Sequence, residues 1–422
     1  MDLTKLNDDC LYLILSKLSV RELINAELVC KRFHSIIQKV YCGRRILDFN
    51  EECAALPEYH LSKAEMMLIN SKVGKHIDTL IVSECLFEKK FLKNINDLLS
   101  AKVNDATRVL KNLSVEGFNI NKSALDTNFF VRIFSKLKTV RLVDCYWLND
   151  SLLSKCLQDA TELEILNLSG SCDVGACVQF IRNIKELNLT FVGFSQNDDI
   201  LKLCENNKAT LTSLKICMSR RNEPIWFNEI VRNLRSLKEL SLFPDTLDED
   251  LESEETVKEV ADRYATLGDL PYLTTLKIVL DDDSLIMNQM LEKLVQRNIL
   301  ESLKLRVYKE SNHENWKKEA AENVTKFRNL RTLKYSWKDM TDSHLKKFSS
   351  KASLVIADFG CAGISSKGAL DFINQCPNLQ KISVPCLLFE DLQNLQQRSE
   401  CLDIFVDKLK YPNIADQGVL HS

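Results

Sequence analysis

"LEILNL" (Leu163–Leu168) and, 21 residues further on, "IKELNL" (Ile184–Leu189) share one spelling: apolar, two variable residues, apolar, one variable residue, apolar. The alternation over the last three positions is that of a short strand buried on one face. The frame recurs along most of the chain. Upstream it is carried by Ile77, Leu80 and Val82, by Leu110, Leu113 and Val115, and by Leu137, Val140 and Leu142. Downstream copies start at Leu211, Leu237, Leu273, Leu300, Leu330 and Leu379, and a degenerate one spans Leu354 to Phe359. Successive frames are 21 to 36 residues apart. The segments between them have helical spacing, as in "LLSKCLQDATEL" with Leu152, Leu153, Cys156 and Leu157.

One strand and one helix per repeat of this length is the pattern of leucine-rich repeats, whose leucines stack into a continuous core. The expected fold class is therefore α/β: a curved solenoid with parallel strands on its concave side and helices on its convex side. "RILDF" (Arg45–Phe49) and "CLDIFV" (Cys401–Val406) are strand-like and flank the clear frames, in the place of capping rungs. The repeats are placed at residues 46–406, about 12–14 rungs, with 407–422 as a C-terminal tail. Cys85, Cys145, Cys361 and Cys386 fall just after their frames, where a small side chain packs well at a tight strand-to-loop turn. The run "CAGISSKGALDFINQCPNLQKISVPC" resembles the cysteine-containing subclass of these repeats.

Composition narrows the function. Lys plus Arg is 56 and Asp plus Glu is 59, a net charge of -3 that favours neither nucleic acid nor an anionic membrane as partner. No apolar run approaches the roughly 20 residues that span a bilayer, and the acidic start "MDLTKLNDDC" is unlike a signal peptide. The 15 cysteines are odd in number and dispersed without a CxxC pair, which fits a reducing compartment, cytoplasmic or nuclear. Six scattered histidines form no metal motif, and no phosphate-binding or nucleophile-elbow signature occurs. "DFG" at Asp358–Gly360 lies in a repeat strand without the other kinase motifs. No catalytic residue, metal or cofactor is expected.

The first 45 residues do not carry the repeat. Asn7 is placed to cap a helix with Asp8 and Asp9 in its first turn, and Leu11, Ile14, Leu15 and Leu18 follow at helical spacing. Ser19 and Glu22 spell a capping box for a second helix, and a third carries Phe33, Ile36, Ile37 and Val40. Tyr12, Leu13, Ile24 and Leu28 lie off the main apolar stripe. Leaving four such side chains wet would forgo roughly 6–12 kcal/mol, an upper estimate, so the repeats or a partner should cover them.

The order Leu6, Asp8, Leu11, Ile14, Leu15, Ser16, Leu18, Leu23, Ala26, Val29, Cys30, Lys31, Arg32, Phe33 resembles the F-box. The family usually has Pro where Asn7 stands, often Pro at Val20, and Trp more often than Phe at Phe33. An F-box at residues 1–45 followed by leucine-rich repeats is similar to the substrate receptors of SCF-type cullin–RING ubiquitin ligases. That resemblance implies a Skp-family adaptor, and through it the cullin–RING ligase, as partner of the F-box. The repeats would then hold a substrate protein for ubiquitination. It also implies Leu6, Leu11, Ile14, Leu15, Leu18, Leu23, Val29 and Phe33 as adaptor-contacting residues. A repeat scaffold or inhibitor that binds a protein without recruiting a ligase is the alternative.

The residue between the last two apolar positions of each frame faces the concave side. Arg141, Lys215, Lys277, Lys304 and Lys334 occupy that column, and Arg306 lies two residues beyond Lys304. Like charges on neighbouring strands repel, so these residues are candidates for holding an acidic or phosphorylated substrate segment. "PDTLDEDLESEE" (Pro244–Glu255), in the longest interval, is the strongest acidic run. It reads as a surface insertion or as a segment that folds over the basic rungs.

Overall fold

The computed structural model describes residues 5–53, 63–83, 110–117, 127–146, 148–171, 175–192, 197–218, 223–244, 257–280, 284–307, 314–336, 340–348, 353–360, 363–384, 387 and 402–406. The chain divides into two compact units, Met1–Asn207 and Lys208–Ser422. The boundary falls inside the repeats. The acidic run beyond Pro244 and Cys85, Cys361 and Cys386 lie outside the described residues.

The first unit opens with three short helices, α1 (Asp8–Leu15), α2 (Val20–Ala26) and α3 (Lys31–Gly43). Their ends are set locally. The Asn7 side chain accepts from the Cys10 amide at 2.8 Å, so Asn at this position makes the cap that a Pro could not. Ser19 and Glu22 form the reciprocal capping box: the Ser19 hydroxyl accepts from the Glu22 amide, and the Glu22 carboxylate accepts from the Ser19 amide at 2.8 Å. Leu11, Leu15, Val20, Leu23, Phe33, Ile36, Ile37, Val40 and Tyr41 make the interior.

The strands follow as β1 (Ile46–Asp48), β2 (Thr79–Ser83), β3 (Asn112–Glu116), β4 (Thr139–Val143), β5 (Ile165–Asn167) and β6 (Glu186–Leu189). All neighbours are parallel and in chain order, with Leu80, Leu113, Val140, Leu166 and Leu187 aligned rung upon rung. Every one of these leucines and valines is buried, as are the apolar residues two positions on. The two opening frames fall on β5 and β6. The connection between them carries a 3₁₀ helix, Ala176–Phe180, in place of an α-helix.

The second unit repeats the scheme with β7 (Ser213–Met218), β8 (Glu239–Pro244), β9 (Thr275–Leu280), β10 (Ser302–Val307), β11 (Thr332–Ser336), β12 (Ile356–Asp358), β13 (Lys381–Val384) and β14 (Asp403–Val406). These too are parallel in chain order. Helices return the chain between strands, among them Glu223–Asn233, Ser284–Arg297 and Glu314–Lys326. The degenerate frame forms the short β12, with Leu354, Ala357 and Phe359 buried. Both flanking segments are strands, β1 and β14. Each unit is thus a stretch of α/β solenoid, the first led by the helical module. No described helix is long and apolar enough to cross a membrane.

Polar side chains tie successive repeats together. Asn207 is buried; it donates to the carbonyls of Ile181 and Leu203, both at 2.8 Å, and accepts from the Ile184 amide at 2.9 Å. Asp150 accepts from the amides of Gly175, Ala176 and Cys177 at 2.8–3.0 Å. Partial burial raises its proton affinity, but these amides outweigh that, and the carboxyl is held below its ordinary range.

Candidate functional site

Two surfaces carry the predicted site residues, one in each unit. In the helical module the eight adaptor candidates divide by burial. Leu11, Leu15, Leu23 and Phe33 are buried and Leu6 and Leu18 are half-buried, whereas Ile14 is 44% and Val29 68% exposed. Two further apolar side chains are open to solvent: Leu13 at 63% and Leu28 at 83%. A 3.6-residue stripe cannot separate residues that build a small core from residues that meet a partner. The off-stripe leucines carried that signal, since Leu13 and Leu28 had no place in the module's own core. Tyr12 and Ile24, the other two off-stripe residues, are half-covered.

The backbone around these side chains is fixed by charge. Arg32 binds Asp8 through Nε at 2.9 Å and Nη2 at 2.7 Å and donates to the Leu6 carbonyl, pinning the start of α3 to that of α1. Arg32 is thus a strut between the two helices.

Two buried carboxylates then join the module to the first repeats. Glu27, at the end of α2, accepts from Lys72 Nζ at 2.9 and 3.0 Å and from Gln38 Nε2 at 2.8 Å, with His34 Nδ1 3.0 Å away. Lys72 belongs to α5 (Lys63–Val73). Burial and the Glu27 charge push the Tyr41 phenol far above its ordinary range, so it stays protonated and donates to Glu27. Glu52, in α4 (Phe49–Cys53), accepts from the amides of Val20 and Arg21 at 3.0 and 3.2 Å and from Arg44 at 3.2 Å. A carboxylate on those first-turn amides complements the positive end of α2. Val20, buried at the position where the family often has Pro, therefore has its amide satisfied from outside the helix.

In the second unit, Lys304 of β10 is the register partner of both Lys277 on β9 and Lys334 on β11. Lys215 is the partner of Ser241, and Ser241 of Lys277. The stacked lysines are therefore real neighbours, about 4.8 Å apart at the backbone. They are not equivalent. Lys334 pairs with Asp358 at 2.8 Å, one rung further on in the same column. The sequence places Asp358 in a repeat strand, and the register adds that it stands opposite Lys334.

Lys277 lies over the Phe243 ring, 4.6 Å from its centroid. Its ammonium is held below the ordinary lysine range, first by burial and then by the positive charges of Lys304, Lys215, Arg306 and Lys334. Arg141, in the first unit, aligns with Ser114 and Asn167 and has no basic neighbour in its column. The register thus keeps Lys215, Lys277 and Lys304 as one positive group, with Lys334 neutralised at its margin and Arg306 two residues beyond Lys304 on β10.

The family model for the F-box domain matches residues 3–45. No curated protein sequence matches the chain. Similar solved structures include a chain from the yeast complex of Rad7 and Elc1, at 17% identity and a TM-score of 0.49, covering 86% of this chain and 90% of that one. Another comes from a complex of TLR13 with ssRNA13, at 13% identity and a TM-score of 0.37, covering 87% of this chain and 62% of that one. Residues 3–45 of this chain are an F-box domain, and an α/β solenoid of leucine-rich-repeat type follows it.

Proposed function

We propose that this chain is a non-catalytic substrate receptor of an SCF-type cullin–RING ubiquitin ligase. Its F-box docks on a Skp-family adaptor, and its repeats present a protein substrate for ubiquitination. The observation that carries the reading is the F-box match at residues 3–45 together with the apolar side chains that the module leaves wet. Leu13, Ile14, Leu28 and Val29 are exposed although burying each would be worth about 1.5–3 kcal/mol, the profile of anchors for an apolar groove. Leu11, Leu15, Leu23 and Phe33 then act by holding the helices beneath those anchors. The Glu27 and Glu52 links support the receptor role by fixing the module to the first repeats.

Reconstitution tests the ligase assignment. The full chain should capture a cullin–RING pair when the Skp-family adaptor is supplied and fail to capture it when the adaptor is omitted. Capture that ignores the adaptor, or no capture with it, would overturn the assignment.

A further inference from the structure

In the first unit, the chain leaves strands β3 to β6 through one shared backbone conformation. The second residue after the last buried apolar position of each frame has positive φ: Gly117 at 70°, Asp144 at 52°, Gly170 at 65° and Phe191 at 57°. These residues stay in register beyond the strands. The Asp144 amide donates to the Ser169 carbonyl and the Gly170 amide to the Thr190 carbonyl, both at 2.9 Å. Asp144, Gly170 and Phe191 are therefore successive rungs of one column, with Asp144 and Phe191 about 9.6 Å apart at the backbone.

Glycine adopts positive φ freely and Asp and Asn tolerate it, but a bulky side chain there is strained. Among the described residues the other non-glycine positions with positive φ are Asp144, Asn183 and Asn298. Phe191 is the exception, and it is 70% exposed instead of packed in the core. Strain of this kind concentrates where a structure holds a ligand. The rung between Phe191 and Asp144 carries no side chain. A Cβ at Gly170 would meet Asp144 Oδ1, so the Asp144 carboxylate leans over the Gly170 backbone. That carboxylate forms no hydrogen bond or ion pair among the described residues, and Arg141, in the strand column, does not reach it. Glu116, exposed at the end of β3, adds a second acid, and Tyr146, 67% exposed, a second ring.

An open carboxylate beside an exposed aromatic ring selects a cation with a flat face. A guanidinium donates two parallel N–H bonds to a carboxylate and also stacks on a ring. An ammonium is a compact point charge without that plane. The side chain missing at Gly170 leaves the space in which the plane can lie. Glu116 and Tyr146 extend the surface beyond one side chain, which suits a segment of a protein more than a free amino acid.

We propose that Asp144 and Phe191, above the Gly170 backbone, hold the guanidinium of an arginine carried by a protein partner. The notch is built by the first unit alone and stands apart from the ligase reading.

Degenerate peptide pools with a fixed central arginine, lysine or citrulline, immobilised at equal density, test this with the full chain. The arginine pool should retain the chain at least tenfold better than citrulline, which keeps the shape without the charge, and several-fold better than lysine. Asp144→Asn and Phe191→Asn should each lower retention several-fold, whereas Glu162→Gln, at an exposed acid of the same unit, should not. Asparagine suits positive φ, so Phe191→Asn should melt no lower than the wild type while losing the ligand. Melting below the wild type would mark the ring as structural and overturn its part in the site. Equal retention on arginine and citrulline, or retention that survives both substitutions, would overturn the site. Equal retention on lysine would overturn the guanidinium assignment, and release by free arginine as effective as release by the peptide would overturn the protein segment.

Discussion

At the scale of single residues, environment separates side chains that the sequence writes identically. Cys156 and Cys376 are buried, and that burial pushes their thiols up to about 12 and about 11. Cys145 is also buried, its thiol directed at the carbonyls of Val115 and Val143. Cys10, Cys30 and Cys42 are exposed. Because only the thiolate reacts, iodoacetamide at neutral pH should label those three in the native chain and spare Cys145, Cys156 and Cys376 until it unfolds. Equal labelling of both sets would contradict this. Lys277 offers a second test. Removing the positive charge at Lys304 must raise the Lys277 proton affinity towards the ordinary value, because a repulsive neighbour is gone. In an NMR titration of lysine side chains, Lys304→Gln should move the Lys277 midpoint upward, and an unmoved midpoint would show that the two do not interact. The lysine column was legible from spacing because register in a parallel solenoid follows the frame. Asp358 was placed in a repeat strand, but with Ala357 where the other frames have a larger apolar residue its place in the lysine column went unread.

At the scale of the element, the frame located the strands and the capping residues located the first two helices. Both are local signals, and both survive in the folded chain: Asn7 and Ser19 cap, and Leu80, Leu113, Val140, Leu166 and Leu187 stack. What joins one repeat to the next was not legible, since Asp150 and Asn207 bond to backbone amides and carbonyls more than twenty residues away. Asp150 gives this a pH dependence. Its carboxyl is held below its ordinary range in the folded chain, so its contribution is present above about pH 4 and is lost as pH falls through the folded value. Asp150→Asn should therefore destabilise the chain by about 1–3 kcal/mol at neutral pH. That gap should narrow on acidification below about pH 4. Paired denaturant melts at neutral and acid pH measure it, and a gap that stays constant or widens would contradict the amide-held carboxylate. The Glu27 and Glu52 links escaped the sequence reading for the same reason. Glu27 was one letter of "ELVCKRF" (Glu27–Phe33), and nothing local says that Lys72 will reach it.

At the scale of the whole molecule, the chain sets an F-box domain ahead of a repeat array in sequence. The F-box could be read from its order of apolar residues because a helical unit this small has few ways to build a core. The division of those residues into core and surface could not, because both share the helical period. Folding resolves it: Leu28 and Val29 stand out between α2 and α3, and Leu13 and Ile14 near the end of α1. Calorimetric titration of the full chain with a purified Skp-family adaptor, wild type against the Leu28→Asp, Val29→Asp double variant, tests the central claim most directly. Two apolar anchors at about 1.5–3 kcal/mol each correspond to a loss of about a hundredfold or more in affinity. Tight binding by the wild type, lost in the double variant with its melting temperature unchanged, is the predicted result. No binding by the wild type, or equal binding by both, would contradict it.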